Sequence, residues 1–437
     1  MRAVRIGAIA LLTLVLLAGC IGKDDTSHSG FSPLDLAQIP SVTSIPDPTM
    51  QPTVVATGSG GVSGVLPPTD THTLNPDQLV SMQIDEMGVI PVLMYHAITT
   101  ADTAPDLWTR TVTEFNGDLQ WLYDHNFYVT PLRSLLNDEV SVPPGKHPVV
   151  LTFDDASAGQ FQFEKDAKGD LVPTPTSTIG VMEAFFAKHP DFGHTGLFAL
   201  LPYNCFSSDA EYNTIDFCDQ KLTWLSDHGY EIANHTWGHQ DLSVVDADEI
   251  ASQIGQTMDF IDQRVSGPAN LSRVLVLPYG ATPDPNVDPD AWDAINKGFE
   301  WNGEKVSLDA VVYVSGGVIP SPASQEFDPL VINRFNTEPD MIDYWFNAFT
   351  DGDVTLYTSD GNPQTVVVPN DLGGQLGAYF DPDAIAAAGR IPLTYDPKTG
   401  VVSQAIASVP ADATSVRATD VTAHDRDRVA AFDVSLR

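Results

Sequence analysis

The chain has 437 residues, of which 43% are hydrophobic, so it is long and apolar enough for one large domain with appendages or for two domains. Its 58 acidic and 21 basic residues give a formal net charge of -37, and such a negative surface would repel nucleic acid and anionic lipid headgroups. We therefore expect a globular protein without a nucleic-acid partner. Because the acidic residues are scattered, we attribute the charge to a highly solvated surface, with attraction of a cationic partner or product as the alternative.

The first twenty residues have the pattern of a processing signal. Two arginines among the first five residues precede an apolar run, and Leu17-Ala18-Gly19-Cys20 follows as a small-residue cleavage site that resembles a bacterial lipobox. We expect a signal peptide over residues 1–19 and a lipid on Cys20. The protein would then be exported and anchored to the membrane at the cell surface or in the periplasm. An ordinary secretory signal or an uncleaved anchor is the alternative.

Three regions follow the signal. Residues 20–86 are rich in Pro, Ser, Thr, Gly and Asp without sustained hydrophobic periodicity, which predicts a flexible, disordered tether behind the lipid anchor, with room for short ordered pieces near its end. Residues 87–350 alternate apolar runs with amphipathic patterns, which is typical of parallel βα units. Residues 351–437 contain short β-prone runs between Gly-rich turns, and we expect a small β-rich extension of unknown role.

The predicted elements of the central region alternate in chain order, with a polar insertion at residues 160–177. The spacing of Phe115, Leu119 and Leu122, for example, indicates a helix that buries one face. The strands are expected at residues 89–96, 127–130, 149–153, 195–201, 230–234, 274–277 and 310–314. The helices are expected at residues 113–126, 131–136, 178–188, 221–228, 246–265 and 291–297.

The strand Val149-Val150-Leu151-Thr152-Phe153 stops abruptly on two carboxylates, Asp154 and Asp155. In parallel βα units the carboxyl ends of the strands carry the active groups. On an extended backbone the two side chains would point in different directions, so that one can hold a metal while the other faces a water molecule. The alternative is a solvated Asp-rich turn.

Two histidines, His235 and His239, lie four positions apart after another predicted strand. One helical turn or a tight loop would bring both imidazoles to one side. With one aspartate they form a three-ligand set that leaves positions open for water and substrate, as a catalytic Zn²⁺ or a similar divalent metal requires. A pair of solvated or structural histidines is the alternative.

Apart from Cys20, the chain contains Cys205 and Cys218. In an exported protein a disulfide is the natural use of such a pair. A metal site is the alternative, but the close Cys-x-x-Cys spacing is missing.

Three motifs carry a family resemblance. Thr152-Phe153-Asp154-Asp155, His235-Thr236-Trp237-Gly238-His239 and Leu277-Pro278-Tyr279-Gly280, in this order, resemble the polysaccharide deacetylase, or NodB-homology, domain of the family-four carbohydrate esterases. The resemblance covers about residues 89–348. Pro91-Val92-Leu93-Met94-Tyr95-His96 is similar to the subgroup that includes poly-N-acetylglucosamine deacetylases. The resemblance implies an α/β fold, a distorted (β/α) barrel.

The resemblance also implies roles for individual residues. Asp155, His235 and His239 would bind the metal, and Asp154 would be the general base that activates water. The backbone N–H of Tyr279 would help hold the oxyanion. His96 is the candidate general acid for the departing amine, with a structural strand-end histidine as the alternative.

The sequence departs from the family pattern at several positions. Many relatives place an arginine before the Pro-Tyr of the third motif to orient the base, whereas Val276 and Leu277 precede Pro278 here. Arg334, after a late strand, is the candidate replacement, with an ordinary structural ion pair as the alternative. Ala156 stands where relatives have glycine. A late Leu-x-His motif is missing, so His96 carries the acid prediction.

The sequence therefore predicts a monomeric, lipid-anchored deacetylase that uses a divalent metal, with Zn²⁺ expected, on an N-acetylated polysaccharide of the cell wall or an exopolysaccharide. An O-acetyl esterase acting on xylan or a similar glycan would use identical metal chemistry. A glycan-binding surface lipoprotein without turnover, or a purely structural surface protein without metal, are the further alternatives.

Overall fold

The computed structural model describes residues 74–372 and 379–405. The predicted signal peptide, Cys20 and the tether up to residue 73 lie outside the described residues, as does the end of the predicted extension. Among the helices that are described, none is both long enough and apolar enough to cross a membrane.

The described residues alternate strands and helices over most of their length. The strands are β1 (Val92–Tyr95), β2 (Ala97–Thr99), β3 (Thr109–Thr111), β4 (Phe127–Val129), β5 (His147–Phe153), β6 (Phe163–Lys165), β7 (Leu171–Pro173), β8 (Leu197–Leu200), β9 (Glu231–Asn234), β10 (Asn270–Val276), β11 (Phe299–Trp301), β12 (Glu304–Val306), β13 (Ala310–Gly316), β14 (Ile332–Asn336), β15 (Thr365–Pro369), β16 (Ile391–Tyr395) and β17 (Val402–Gln404). The helices are α1 (Pro76–Met82), α2 (Val112–Asp124), α3 (Leu132–Leu136), α4 (Thr178–Lys188), α5 (Cys218–Asp227), α6 (Ala247–Asp262), α7 (Pro289–Asn296), α8 (Pro339–Asp351) and α9 (Pro382–Ala387).

Seven parallel strands close into a barrel in the order β1-β14-β13-β10-β9-β8-β5, with β5 pairing back to β1. Strand β4 adds to the outside of β5, also in parallel. The register shifts between β9 and β10 and between β13 and β14, which distorts the closed sheet. The predicted distorted (β/α) barrel is therefore confirmed, and it brings the carboxyl ends of seven strands to one rim.

Side chains that alternate along each strand belong to two different apolar clusters. One cluster takes residues from all seven barrel strands, such as Val92, Val150 and Ala233, and fills the barrel. Intervening residues such as Leu93 and Leu151 pack against α2, α4, α5 and α8, whereas those of β10 and β13 pack in a third cluster with α6 and α7. Burial on both faces explains why the barrel strands are nearly continuous apolar runs in the sequence.

The polar insertion predicted at residues 160–177 has structure of its own. It contains the antiparallel pair β6 and β7, and Phe161 and Phe163 at its start are buried. The side chain of Asn213 accepts a hydrogen bond from the backbone N of Phe163 and donates one to its carbonyl. A few apolar anchors and this amide therefore fix a segment whose composition resembles a loop.

The last residues of the predicted tether are ordered. Helix α1 begins after Asn75, whose side chain forms a reciprocal capping box with Gln78. Glu86 is buried and accepts hydrogen bonds from the Tyr357 hydroxyl and from the backbone N of Val367. Residues 84–86 thus pack with the start of the predicted extension, a contact between distant segments that local composition does not reveal. The extension itself contains the three-stranded sheet β15-β16-β17 and α9.

Candidate metal and catalytic site

The acidic pair follows β5 directly, but its backbone is not extended as the sequence suggested. Strand β5 ends at Phe153, and Asp155 has a φ of 77°, in the left-handed region. The chain therefore turns between the two residues, and this turn separates their carboxylates. Asp154 enters the buried interior beside Arg334, whereas Asp155 reaches toward two histidines.

Asp155, His235 and His239 converge at the rim. Oδ1 of Asp155 lies 3.3 Å from Nε2 of His235 and 3.4 Å from Nε2 of His239. One ligand atom of each residue lies within 4.8 Å of the others, the one such group of three found among residues 74–372 and 379–405. The two predicted histidines and one predicted aspartate are thus brought together.

The surroundings of the histidines suit a metal. Nδ1 of His235 lies 2.8 Å from the carbonyl oxygen of Val276, so Nδ1 carries the proton and the Nε2 lone pair faces Asp155. Thr236 and His239 have left-handed φ angles, and they curl the loop after β9 so that His239 returns to the same side. Burial lowers the pKa of His239 and favours the neutral imidazole that metals bind.

Arg334 holds the other carboxylate. Its Nη1 and Nη2 donate to Oδ1 and Oδ2 of Asp154 at 2.7 and 2.8 Å, and both side chains are buried. Nε donates to the carbonyl of Tyr313 at 2.6 Å, and Nη1 also donates to Oγ1 of Thr152. Burial alone would raise the pKa of Asp154, but the charge and hydrogen bonds of Arg334 outweigh it and hold this pKa below its usual range. Asp154 is therefore ionised and fixed in orientation.

His96 follows β1, and the charges of Asp154 and Asp155 act on its imidazole. Its imidazole makes an edge contact with Trp108, with ring centroids 5.1 Å apart. Burial lowers the pKa of His96, while the negative charges of Asp154 and Asp155 oppose that change. The structure thus places His96 within the electrostatic reach of both aspartates.

Tyr279 lies in a short turn at residues 278–280, after β10. Its φ is 58°, its side chain is exposed, and its ring centroid is 4.6 Å from that of His239. Gly280 also has a positive φ, and a Cβ there would collide with Val314. This tight turn therefore brings the backbone of Tyr279 next to the histidine loop.

The predicted cysteines are also joined, because Cys205 and Cys218 form a disulfide. Other residues at the site were missed in the sequence. Gln160 is buried, and its Nε2 donates to the backbone carbonyls of His96 and Asp154. Asn204 donates to the carbonyl of Asp155. A polar insertion was visible around Gln160, but no motif marked either residue.

Known proteins support the resemblance. The family model described as polysaccharide deacetylase matches residues 202–294. The peptidoglycan-N-acetylmuramic acid deacetylase PdaC of Bacillus subtilis (strain 168) is 24% identical over 186 residues, which is 41% of this chain and 33% of PdaC. The chain thus spans about a third of the length of that relative.

Solved structures of deacetylases are also similar. Streptococcus pyogenes deacetylase PplD in complex with acetate has a TM-score of 0.41 at 18% identity, covering 60% of this chain and 98% of PplD. IcaB from Ammonifex degensii has a TM-score of 0.37 at 16% identity, covering 60% and 97%. The match to the family model over residues 202–294 confirms the family resemblance, and that stretch includes the second and third of the three motifs.

Proposed function

We propose that the chain is a divalent-metal-dependent hydrolase that removes N-acetyl groups from an amino-sugar polysaccharide, either a cell-wall glycan or an exopolysaccharide. One observation carries this proposal. Asp154, held ionised by a bidentate arginine, adjoins a separate three-ligand group made of Asp155, His235 and His239. A base beside a metal group is the arrangement that metal-assisted hydrolysis requires.

Asp155, His235 and His239 would hold the metal through one carboxylate oxygen and two imidazole nitrogens, a donor set that fits Zn²⁺. When bound there, such an ion would lower the pKa of a water molecule and polarise the acetyl carbonyl.

The residues of the chain would then perform the proton transfers. Asp154 accepts a proton from the water that attacks the carbonyl carbon, and Arg334 keeps this carboxylate ionised and oriented. The backbone N–H of Tyr279 stabilises the negative oxygen that forms. His96 donates a proton to the amide nitrogen as the C–N bond breaks, so that acetate and a free amine leave.

Hydrolysis of an N-acetyl group, rather than an O-acetyl group, is supported by two points. An amide nitrogen is a poor leaving group unless it is protonated, and His96 lies near both aspartates as a candidate proton donor. The curated relative PdaC is named as a deacetylase of peptidoglycan N-acetylmuramic acid.

The experiment compares acetate release by the purified protein from N-acetylated glycans, such as chitin oligomers and peptidoglycan, with release from acetylated xylan. We expect the wild-type protein to release acetate from an N-acetylated glycan, and an Asp154→Asn variant to do so about 10³–10⁴-fold more slowly. Release from xylan alone would instead establish an O-acetyl esterase. A protein that binds metal without releasing acetate from any of these glycans would be a glycan-binding lipoprotein.

We also propose that the protein is exported and anchored through a lipid on Cys20. The basic start and lipobox-like sequence support this, and a disulfide such as Cys205–Cys218 persists in oxidising compartments. Metabolic labelling with a radioactive fatty acid should mark the wild-type protein but not a Cys20→Ala variant. Labelling of both proteins, or of neither, would contradict lipidation at this cysteine.

A further inference from the structure

The backbone around the proposed metal ligand Asp155 has an unusual conformation. Asp155 and Ala156 have φ angles of 77° and 46°, in the left-handed region that residues with a Cβ rarely adopt. Two such residues in succession persist only when surrounding contacts hold them. The position of the Asp155 carboxylate therefore depends on what binds this turn.

One loop binds both strained residues. This loop, residues 201–206, follows β8 and is here called the bracing loop. The Nδ2 of Asn204 donates to the carbonyl of Asp155 at 3.0 Å, and the backbone N of Phe206 donates to the carbonyl of Ala156 at 2.6 Å. Ala156 is fully buried. The bracing loop thus fixes the direction in which the backbone leaves Asp155.

The bracing loop is in turn fixed from the opposite side. Cys205 is bonded to Cys218, the first residue of α5. Lys221, one turn further along α5, is fully buried and donates its Nζ to the carbonyl of Phe206 at 2.6 Å. Gln162 donates to the same carbonyl at 3.0 Å. A disulfide and two side-chain donors therefore hold a loop that makes two contacts to the acidic turn.

We propose that Asn204 is a positioning residue for metal binding at Asp155, and that the protein binds the metal more tightly when Cys205 and Cys218 form the disulfide than when they are reduced. The proposal rests on the proposed function only in requiring that Asp155, His235 and His239 bind a divalent ion. Asn204 reaches Asp155 through its backbone rather than its carboxylate, so its effect is on ligand direction.

The test measures zinc affinity of the full chain by competition with a chromophoric chelator, together with thermal unfolding of the metal-free protein. Asn204→Ala should weaken zinc binding about tenfold, the size typical of residues that orient a metal ligand. Asn116→Ala is the matched control, because Asn116 also donates from Nδ2 to a backbone carbonyl, that of Val112, within α2. We expect zinc affinity within about twofold of the parent for this control.

A double variant, Cys205→Ser with Cys218→Ser, tests the disulfide and should also weaken zinc binding several-fold. Unchanged affinity in this folded double variant would overturn the redox part. If the double variant does not fold, Asn204→Ala still decides the positioning role.

A purely structural loop would lower the unfolding temperature of Asn204→Ala but leave the zinc affinity of the folded protein unchanged, and this result would overturn the proposal. A parent protein that binds no zinc, cobalt or manganese would overturn the metal part of the proposed function as well. Zinc binding by the parent with equal affinity in all variants would overturn the positioning role and the redox part but leave the proposed function standing. The two failures are therefore distinguishable.

Discussion

Two adjacent aspartates have opposite environments in this protein. The Asp154 side chain is 1% exposed and its charge is matched by the guanidinium of Arg334. The Asp155 side chain is 32% exposed and faces two imidazoles, at least one of which is neutral by its lowered pKa. The protein thus supplies a cation for the Asp154 carboxylate, whereas the Asp155 carboxylate is partly exposed and has imidazole neighbours. This difference is the physical basis for the proposal that Asp154 is the base and Asp155 a metal ligand.

The largest expected effect separates the two carboxylates directly. Asp154→Asn should lower the rate of acetate release by about 10³–10⁴-fold, because the base is lost, while zinc affinity changes little. Asp155→Asn should instead abolish most zinc binding, because the charged ligand is lost. Acetate assays and bound-metal analysis on the same preparations check both. Loss of zinc in Asp154→Asn, with retention in Asp155→Asn, would reverse the assignment.

Removal of the arginine should cost both stability and activity. Arg334→Met leaves Asp154 buried without its partner, so we expect the free energy of unfolding to fall by about 3–5 kcal/mol and turnover to fall by about 10²-fold. Arg334→Lys keeps the charge but loses the bidentate geometry. Its unfolding free energy and turnover should therefore lie between those of Arg334→Met and of the wild type. Urea unfolding and acetate release measure the two effects. Full activity of the Arg334→Met variant would mean that the Asp154–Arg334 ion pair of the wild type is only structural.

His96→Ala tests the assignment of the acid. An amine must be protonated before it leaves, whereas 4-nitrophenolate needs no proton donor. We therefore expect a loss of about 10²-fold on N-acetylated glycan but only about threefold on 4-nitrophenyl acetate. Equal losses on both substrates would assign His96 a structural role.

The smallest expected effect concerns a second buried Asp–Arg pair outside the site. Asp118 accepts hydrogen bonds from Arg110 at 3.1 and 2.6 Å, yet burial outweighs this cation and raises the pKa of Asp118 to about 6. The native state therefore binds this proton more tightly than the unfolded state, whose pKa is about 3.9. The contribution of Asp118 to stability should fall by about 1–3 kcal/mol as pH rises from about 4 to 6, and stay constant above.

Asp118→Asn provides the measurement for that pair, since the amide does not titrate. The difference in unfolding free energy, wild type minus variant, should decrease from pH 4 to pH 6 in urea titrations. A difference that increases over this range would mean that the charge of Arg110 outweighs burial and lowers the pKa of Asp118, as Arg334 does for Asp154.

Local patterns predicted many of the individual elements. Helix α4 has the predicted bounds, and α2 begins one residue earlier than predicted because Thr111 and Glu114 form the capping box. Helices α8 and α9 were missed, and α1 was expected only as a short ordered piece of unspecified type. Helix α1 is short and lies in a segment of tether-like composition, so its stability comes from distant contacts that composition does not encode.

The sequence by itself determined the chemistry of the site. Asp155, His235 and His239 occur at strand ends, and a parallel barrel must bring strand ends to one rim. The tertiary structure alone decided the environment of each carboxylate. Arg334 is 180 residues from Asp154 in the chain, and β1 lies between their strands in the barrel. The direction of Asp155 depends on a left-handed turn braced by Asn204. Burial, ion pairing and turn geometry arise from contacts between distant segments, which local residue patterns do not specify.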